Sequence, residues 1–583
     1  MQCNATPLYT RRKLVHTIFR RGAEMGGAIG KDHGAMEYEE RNIYLNSVKT
    51  YGRLKPIRPI TIHQKALFCL WVFITCLFAI VHIVKLRRWI LSTWKDKKTD
   101  GREEEVDDVE RQNFVEERGK LESFANTKYL DEKKSEHENN KKPSIWERLV
   151  ETSPEQPSLE KFLRQAFLFG WIMFYFWLCD FQHVWRKTDK QYSRDMFTFL
   201  FCLLVFVALV FTIKPTEDKI LNRDQTEEWK GWMQVQFVWF HYYDAQEVYN
   251  SIRCYVGSYV WMTGYGNFWY FYHKKDYSFF RLCKMMWRLN FLVVMVMAIT
   301  NHEFVRYYVC AMHTYWFLTV YAMLAFFARY NDNRKIMATK FVLFFIFNSI
   351  IFEIPFIAYK VFWPFQFVLN VNGNLDNWIY RATLDHWATW IGMLVAYNYP
   401  YYDAFLRYLE KRSDNIRENS LKNGIKIGLT LFCIVIIVIW FRYLLLVERT
   451  WYRKYHPYSS LIPILAYIWL RNLHPFLRTR FLNLFNWLGK ITLETYLSQI
   501  HIYMIGDARK LLVYIHKYPM LNFAVATVLY VCVSYVLFHQ TVLFSSFLLP
   551  RNMRIVCRNF IASVLILLSC YIFSYLLTLQ QIW

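Results

Sequence analysis

Trp229-Lys230-Gly231-Trp232-Met233-Gln234 runs directly into an apolar stretch that ends near Tyr243 and carries a histidine at His241. Such a run reads as a helix entering a membrane. A lysine at the membrane edge and a histidine within the hydrocarbon are both costly to place, which makes each a candidate for function. Lys230 and His241 are eleven residues apart, so they return to nearly the same helix face, roughly 16 Å apart along the axis. They cannot touch, but together they can grip the two ends of one elongated anionic molecule. The ammonium would hold its phosphate and the imidazole would meet its reactive end.

Apolar runs of this length recur along the chain. The spans fall at roughly 66–85, 164–183, 195–213, 232–249, 253–272, 289–305, 307–328, 340–362, 387–407, 425–446, 458–471, 482–503, 519–545 and 559–580. Runs of about 18 or more residues can cross about 30 Å of hydrocarbon, and about 12 to 14 are expected here. They are long and continuous, so the fold class is all-α: a polytopic transmembrane helical bundle and not a barrel. Aromatic residues make up 19% of the chain and apolar residues 54%, with 71 Lys+Arg against 47 Asp+Glu. The basic residues sit in short loops between spans, a pattern that sets membrane topology and argues against nucleic acid as a partner. The twelve cysteines are scattered, with no Cys-x-x-Cys pair and no zinc spacing. They read as small buried hydrophobes, and no metal is expected.

Four segments follow from the composition. Residues 1–60 form a polar N-terminal tail, with a chance-level sequon at Asn4-Ala5-Thr6, and residues 61–94 hold the first span and its basic flank. Residues 95–160, rich in Glu, Asp, Lys and Asn, read as a disordered charged linker, and residues 161–583 form the multi-span domain,. Basic residues flank the first span on both sides, so its orientation stays open.

Candidate chemistry is densest over 229–302. His241 reads either as a general base, kept neutral by burial and oriented by Asp244 three residues on, or as a histidine bonded to a neighbouring helix. Arg253, Lys274, Lys275, Arg281 and Arg288, with Asn290 nearby, would join Lys230 in a polyphosphate site, or else report topology. Gly264-Tyr265-Gly266 says little about phosphate, since such glycines also let helices approach closely. In Trp487-Leu488-Gly489-Lys490-Ile491-Thr492-Leu493-Glu494-Thr495-Tyr496-Leu497-Ser498-Gln499-Ile500-His501, the residues Lys490, Glu494 and His501 share one face if the helix is continuous,. That face either lines a cavity or fixes packing. A third polar patch, Asn372-Gly373-Asn374-Leu375-Asp376-Asn377-Trp378 with Arg381, Asp385 and His386, suits carbohydrate or an ordinary turn.

Thr226 to Gln234, Tyr259 to Phe268, Met286 to Phe291 and the Trp487 to His501 block, in that order, resemble the eukaryotic multi-span O-acetyltransferase family. Its members are the animal sialate O-acetyltransferases, the fungal capsule O-acetylation proteins and the plant reduced wall acetylation proteins. The likeness covers about residues 160–550 and is closest to the plant type, which Met312-His313-Thr314 and His456-Pro457-Tyr458-Ser459-Ser460 also fit.

The resemblance implies a multi-pass Golgi membrane protein that uses cytosolic acetyl-CoA to O-acetylate a glycan or polysaccharide in the lumen. On this reading His241 is the base, and Glu494 and His501, from the helix face described above, join it as catalytic candidates. Lys230, Arg253, Arg288, Asn290 and Lys490 would bind the co-substrate. Bacterial membrane acyltransferases show an analogous Arg/Lys-x10-His element, whose spacing Lys230 and His241 reproduce. Nothing in residues 1–160 resembles the lumenal SGNH-type domain of the animal members, so the resemblance points to a separate lumenal transferase as partner. The family tends to have arginine where this chain has His386, and no acidic residue at the position of Asp244. A transporter of acetyl-CoA, or of the acetyl group, is the alternative function. A scaffold for lumenal transferases ranks behind both, because it leaves the buried polar groups unexplained.

Overall fold

The computed structural model describes residues 59–103, 156–182, 184–368, 375–505 and 508–580. The sequon, nearly all of the tail and most of the charged linker lie outside these residues. The described chain is helical almost throughout. Its first half holds α1 (Ile62–Glu103), α2 (Leu159–Asp180), α3 (Arg194–Phe211), α4 (Arg223–Tyr243), α5 (Tyr249–Lys274), α6 (Phe279–Thr300), α7 (Tyr308–Ala325) and α8 (Arg334–Glu353). Then come α9 (Pro355–Val368), α10 (Leu375–Thr383), α11 (His386–Tyr397), α12 (Tyr399–Glu410), α13 (Ile416–Trp440), α14 (Arg449–Ser459) and α15 (Leu461–Asn472). The last four are α16 (Asn483–Lys490), α17 (Thr492–Ile502), α18 (Pro519–Leu548) and α19 (Met553–Leu579).

Eight helices among the described residues are long and apolar enough to cross a membrane: α1, α2, α3, α6, α8, α13, α18 and α19. The all-helical polytopic bundle expected from the sequence is what the chain forms. The remaining expected spans are helical too, but polar, short or broken. The segment 387–407 divides at Asn398, because Pro400 fits only the first turn of a new helix,. The segment 482–503 divides at Ile491, and 458–471 gives the 12-residue α15.

Local sequence explains the helix ends that matter for the site. Ser158, Ser193, Asn222 and Ser278 each accept a first-turn backbone N–H at the start of α2, α3, α4 and α6,. Asp244, Lys275 and Asn301 close α4, α5 and α6 in the left-handed region, at φ 56°, 51° and 54°,.

Two helix pairs cross with no room for side chains. A methyl on Gly231 would stand 1.9 Å from the Phe485 carbonyl oxygen, and one on Gly489 would stand 1.8 Å from that of Glu227, so α4 and α16 touch through backbone. Gly264 and Gly392 do the same for α5 and α11, 2.2 Å from the Thr389 oxygen and 2.3 Å from the Trp261 oxygen. Gly264 therefore serves packing and not phosphate.

Helix α1 belongs to the bundle: Trp71 Nε1 donates to the Phe167 carbonyl on α2 at 3.2 Å, Gln64 Nε2 donates to the Ile299 carbonyl on α6 at 2.7 Å, and Lys65 Nζ donates to Thr578 Oγ1 on α19 at 3.1 Å. An apolar helix in a membrane has no reason to stay apart when a surface of matching shape is at hand. Residues 95–103 of the expected linker continue α1, where no proline stops the helix.

Short antiparallel ribbons lie at the two ends of α3. Before it, β1 (Arg186–Thr188) pairs with β4 (Leu511–Val513), and after it β2 (Ile213–Pro215) pairs with β3 (Arg480–Leu482). Trp261, Phe268, Phe271, Trp316 and Phe317, all fully buried, fill the core between α5 and α7.

Candidate active site

A cavity of about 740 Å³ opens among α4, α5, α6, α7 and α17. Helix α4 contributes Arg223, Thr226, Glu227, Lys230, Gln234 and Phe237, a single stripe at helical spacing. Helix α5 runs back along the opposite wall from Val256 through Tyr259 and Thr263 to Tyr270. Near the start of α4 the cavity is lined by Lys219, Arg223 and Arg281, with Lys219 Nζ paired to Glu217 Oε2 at 2.6 Å, and Lys230 Nζ pairs with Glu227 Oε2 at 2.7 Å. Arg281 lies 4.0 Å over the Tyr270 ring, and its Nε has no hydrogen-bond partner among the described residues. At the other end Phe237, Val309, Cys310 and Tyr496 line the cavity.

This end is held from behind. Between the cavity residues Glu217 and Lys219, Asp218 turns away to Arg478 and Arg407, and Arg478 also binds both oxygens of Glu410 at 2.9 and 2.7 Å. Burial would raise the Asp218 carboxyl, but the two guanidiniums beside it hold it below the usual carboxylate range,.

His241 continues the α4 stripe one turn beyond Phe237, past the cavity lining. Its Nδ1 lies 3.0 Å from the Phe237 carbonyl oxygen. A carbonyl only accepts, so Nδ1 carries the proton and Nε2 presents a lone pair. The Phe237 ring stands edge-on to the imidazole at 4.6 Å, and Tyr496 packs against the same ring at 6.0 Å. Lys190 Nζ donates to the His241 carbonyl at 2.6 Å. Asp244 does not orient the imidazole, since it is exposed and its carboxylate accepts from Gln246 Nε2. The Phe237 carbonyl takes that part.

Of the residues expected to hold the co-substrate, Lys230 and Arg281 line the cavity, whereas Arg253, Arg288, Asn290 and Lys490 do not. Arg253 is buried against Asp385 and donates to the Arg381 carbonyl at 3.0 Å, while Asp385 Oδ1 also meets His456 Nε2 at 3.1 Å. A buried cation must have such partners, and they turn Arg253 away from ligand. Arg288 pairs in bidentate fashion with the fully buried Glu494, its Nη2 3.0 Å from Oε2. Asn290 ties α6 to α7 through Thr314 Oγ1 at 3.1 Å.

Lys490 is exposed, and the break at Ile491 removes it from the face of Glu494. His501 is closed in, with Nδ1 2.8 Å from Asp180 Oδ2 and Nε2 3.0 Å from the Tyr307 hydroxyl. Of the third patch, Asn372, Gly373 and Asn374 lie outside the described residues. His386 Nε2 is 3.0 Å from Glu353 Oε1, and Arg381 lies 4.2 Å over the Tyr308 ring.

His313, quoted above only within the plant-type likeness and given no site role there, lines the cavity together with Lys230. Its Nδ1 is 2.7 Å from Thr263 Oγ1, and that hydroxyl donates to the Tyr259 carbonyl at 3.1 Å. The hydroxyl has one proton to give, so Nδ1–H donates to it and Nε2 is left with a lone pair. A histidine inside an apolar run was the available signal, the same one that marked His241.

Comparison with known proteins agrees with this architecture. Residues 55–561 match the 10 TM Acyl Transferase domain found in Cas1p. The chain is 32% identical over 386 residues, 62% of its own length, to the N-acetylneuraminate (7)9-O-acetyltransferase of Danio rerio. It spans about half of that relative, 48%. No solved structure matches. With the match running from before the first span into α19, the chain belongs to the family of multi-span membrane acyltransferases that carry this ten-segment domain.

Proposed function

We propose that the chain is an O-acetyltransferase of the Golgi membrane, taking acetyl from acetyl-CoA and delivering it to a hydroxyl of a glycan or polysaccharide. The observation that carries this reading is the α4 stripe: Arg223, then Lys230, then Phe237, then His241 with its Nε2 lone pair available. The cavity volume suits a ligand of this size. Lys219, Arg223, Lys230 and Arg281 would hold the phosphates, with phosphate oxygens replacing Glu217 on Lys219 and Glu227 on Lys230. The pantetheine arm would run inward along α4 and α5 towards Phe237 and Tyr496.

The acceptor hydroxyl would approach from the His241 side. Its oxygen attacks the thioester carbonyl as His241 Nε2 takes its proton. The carbon–sulfur bond then breaks, and the departing thiolate takes the proton from the imidazolium. Donor and acceptor thus meet from opposite sides of the Phe237–Tyr496 pair. Aromatic side chains lining the inner end favour chemistry over passage of intact acetyl-CoA. A separate lumenal SGNH-type transferase would complete the delivery only if acetyl leaves on a carrier.

Purified protein in liposomes, given labelled acetyl-CoA outside and a glycan inside, is expected to yield acetyl ester on the glycan. Intact acetyl-CoA inside would favour transport, and acetyl on the protein alone would favour hand-over to a partner. His241→Ala is expected to lower ester formation by at least about 10²-fold, the usual range for a general base. Lys230→Ala is expected to raise KM for acetyl-CoA while leaving kcat within about threefold, as loss of ground-state binding does. Unchanged ester formation by His241→Ala would overturn the assignment.

A further inference from the structure

Asp180 is the last residue of α2, His302 follows the end of α6, and His501 lies in the last turn of α17. These three distant parts of the chain bring their ligand atoms within 4.8 Å of one another. Asp180 Oδ2 is 2.8 Å from His501 Nδ1 and 3.5 Å from His302 Nε2. Neighbouring ligands on a tetrahedral ion with bonds of about 2.0–2.1 Å stand roughly 3.3 Å apart, between these two separations. We propose that Asp180, His302 and His501 bind one divalent transition-metal ion of the zinc type.

The far side of each imidazole supports the assignment. His501 Nε2 and His302 Nδ1 both turn to the Tyr307 hydroxyl, at 3.0 and 3.4 Å. A histidine that ligates through one nitrogen carries a proton on the other and gives it to an oxygen, which fixes the ring. The phenol oxygen has two lone pairs, enough to serve both rings. The rings lie nearly parallel, 19° apart with centroids at 5.8 Å, so their near nitrogens face the same side.

A cation already sits at this spot. The exposed Arg306 places Nη1 3.3 Å from His302 Nε2, the nitrogen that would ligate. An entering metal ion takes the place of that guanidinium, which can swing into solvent. His302, at 9% side-chain exposure, provides the way in, whereas Asp180 and His501 are closed off at 1% and 0%. Two imidazoles and one carboxylate suit zinc and its neighbours and do not suit calcium or magnesium, which take oxygen ligands. Bound there, the ion would join α2, the α6–α7 turn and α17. This proposal does not depend on how the donor cavity is used.

The test uses the full chain in detergent, stripped with chelator, with Zn²⁺ alone as ligand. Calorimetry is expected to show one Zn²⁺ per chain, lost in His302→Ala. Tyr307→Phe is expected to bind about 10–100-fold more weakly, as loss of an outer partner does. Arg306→Ala, which removes the competing cation, is expected to bind more tightly than the unaltered chain. Co²⁺ in the same site should give the visible absorption of a four-coordinate ion. If the unaltered chain binds no more Zn²⁺ than His302→Ala, the cluster is a hydrogen-bonded one only and the proposal fails. Should His302→Ala not fold, Arg306→Ala decides: unchanged affinity overturns the site.

Discussion

A histidine serves as a base only at a nitrogen that has no proton, so the partner of its other nitrogen matters as much as its position. For His241 that partner is the Phe237 carbonyl, and for His313 it is the Thr263 hydroxyl. His313 lines the cavity and His241 lies one turn beyond its lining, so their roles should separate. His313 faces the cavity, where a pantetheine amide would donate to its Nε2. His313→Ala is expected to raise KM for acetyl-CoA about tenfold, the worth of one hydrogen bond, with kcat nearly unchanged. Steady-state kinetics over a range of acetyl-CoA checks this, and a collapse of kcat would instead make His313 the base. Lys230 and His241 were legible because one helix carries both and its period alone places them. Arg253 and Arg288 were not, since each faces a carboxylate more than a hundred residues away, and burial, not sequence spacing, selects such partners,.

At the level of elements, apolar runs identified the long lipid-facing helices, because lipid selects for length and hydrophobicity. They could not show where α16 ends and α17 begins, and a one-residue break at Ile491 was enough to send Lys490 and Glu494 to different surroundings. Nor do runs show which glycines are contact points. At Gly489 a methyl would press on backbone and not on a flexible side chain, so one helix must move. Gly489→Ala is expected to cost about 1–3 kcal/mol. Thermal unfolding in detergent should show the loss, and KM should rise with it, because the contact lies at Glu227, the partner of Lys230. Gly266→Ala, with nothing within 4 Å of the added methyl, is the control and should stay within about 0.5 kcal/mol in the same assay.

For the whole molecule, hydropathy established the architecture, while the place of the first span depended on packing that no linear pattern records. Helix α1 is held by α2, α6 and α19 together, and besides the Lys65 contact the Tyr571 hydroxyl meets His63 Nδ1 at 2.7 Å. A chain truncated after Arg551 keeps the cavity walls but lacks the α19 side of this seat. It is expected to be cleared faster than the full chain in a pulse-chase measurement, and equal half-lives would show that α2 and α6 suffice. The pairing of α1 with α19 also sets a timetable for biogenesis. Their contact closes over 513 residues, which at about 5–20 residues per second takes about 25–100 s to synthesise. Throughout that interval the side of α1 that receives α19 stays open to lipid or chaperone.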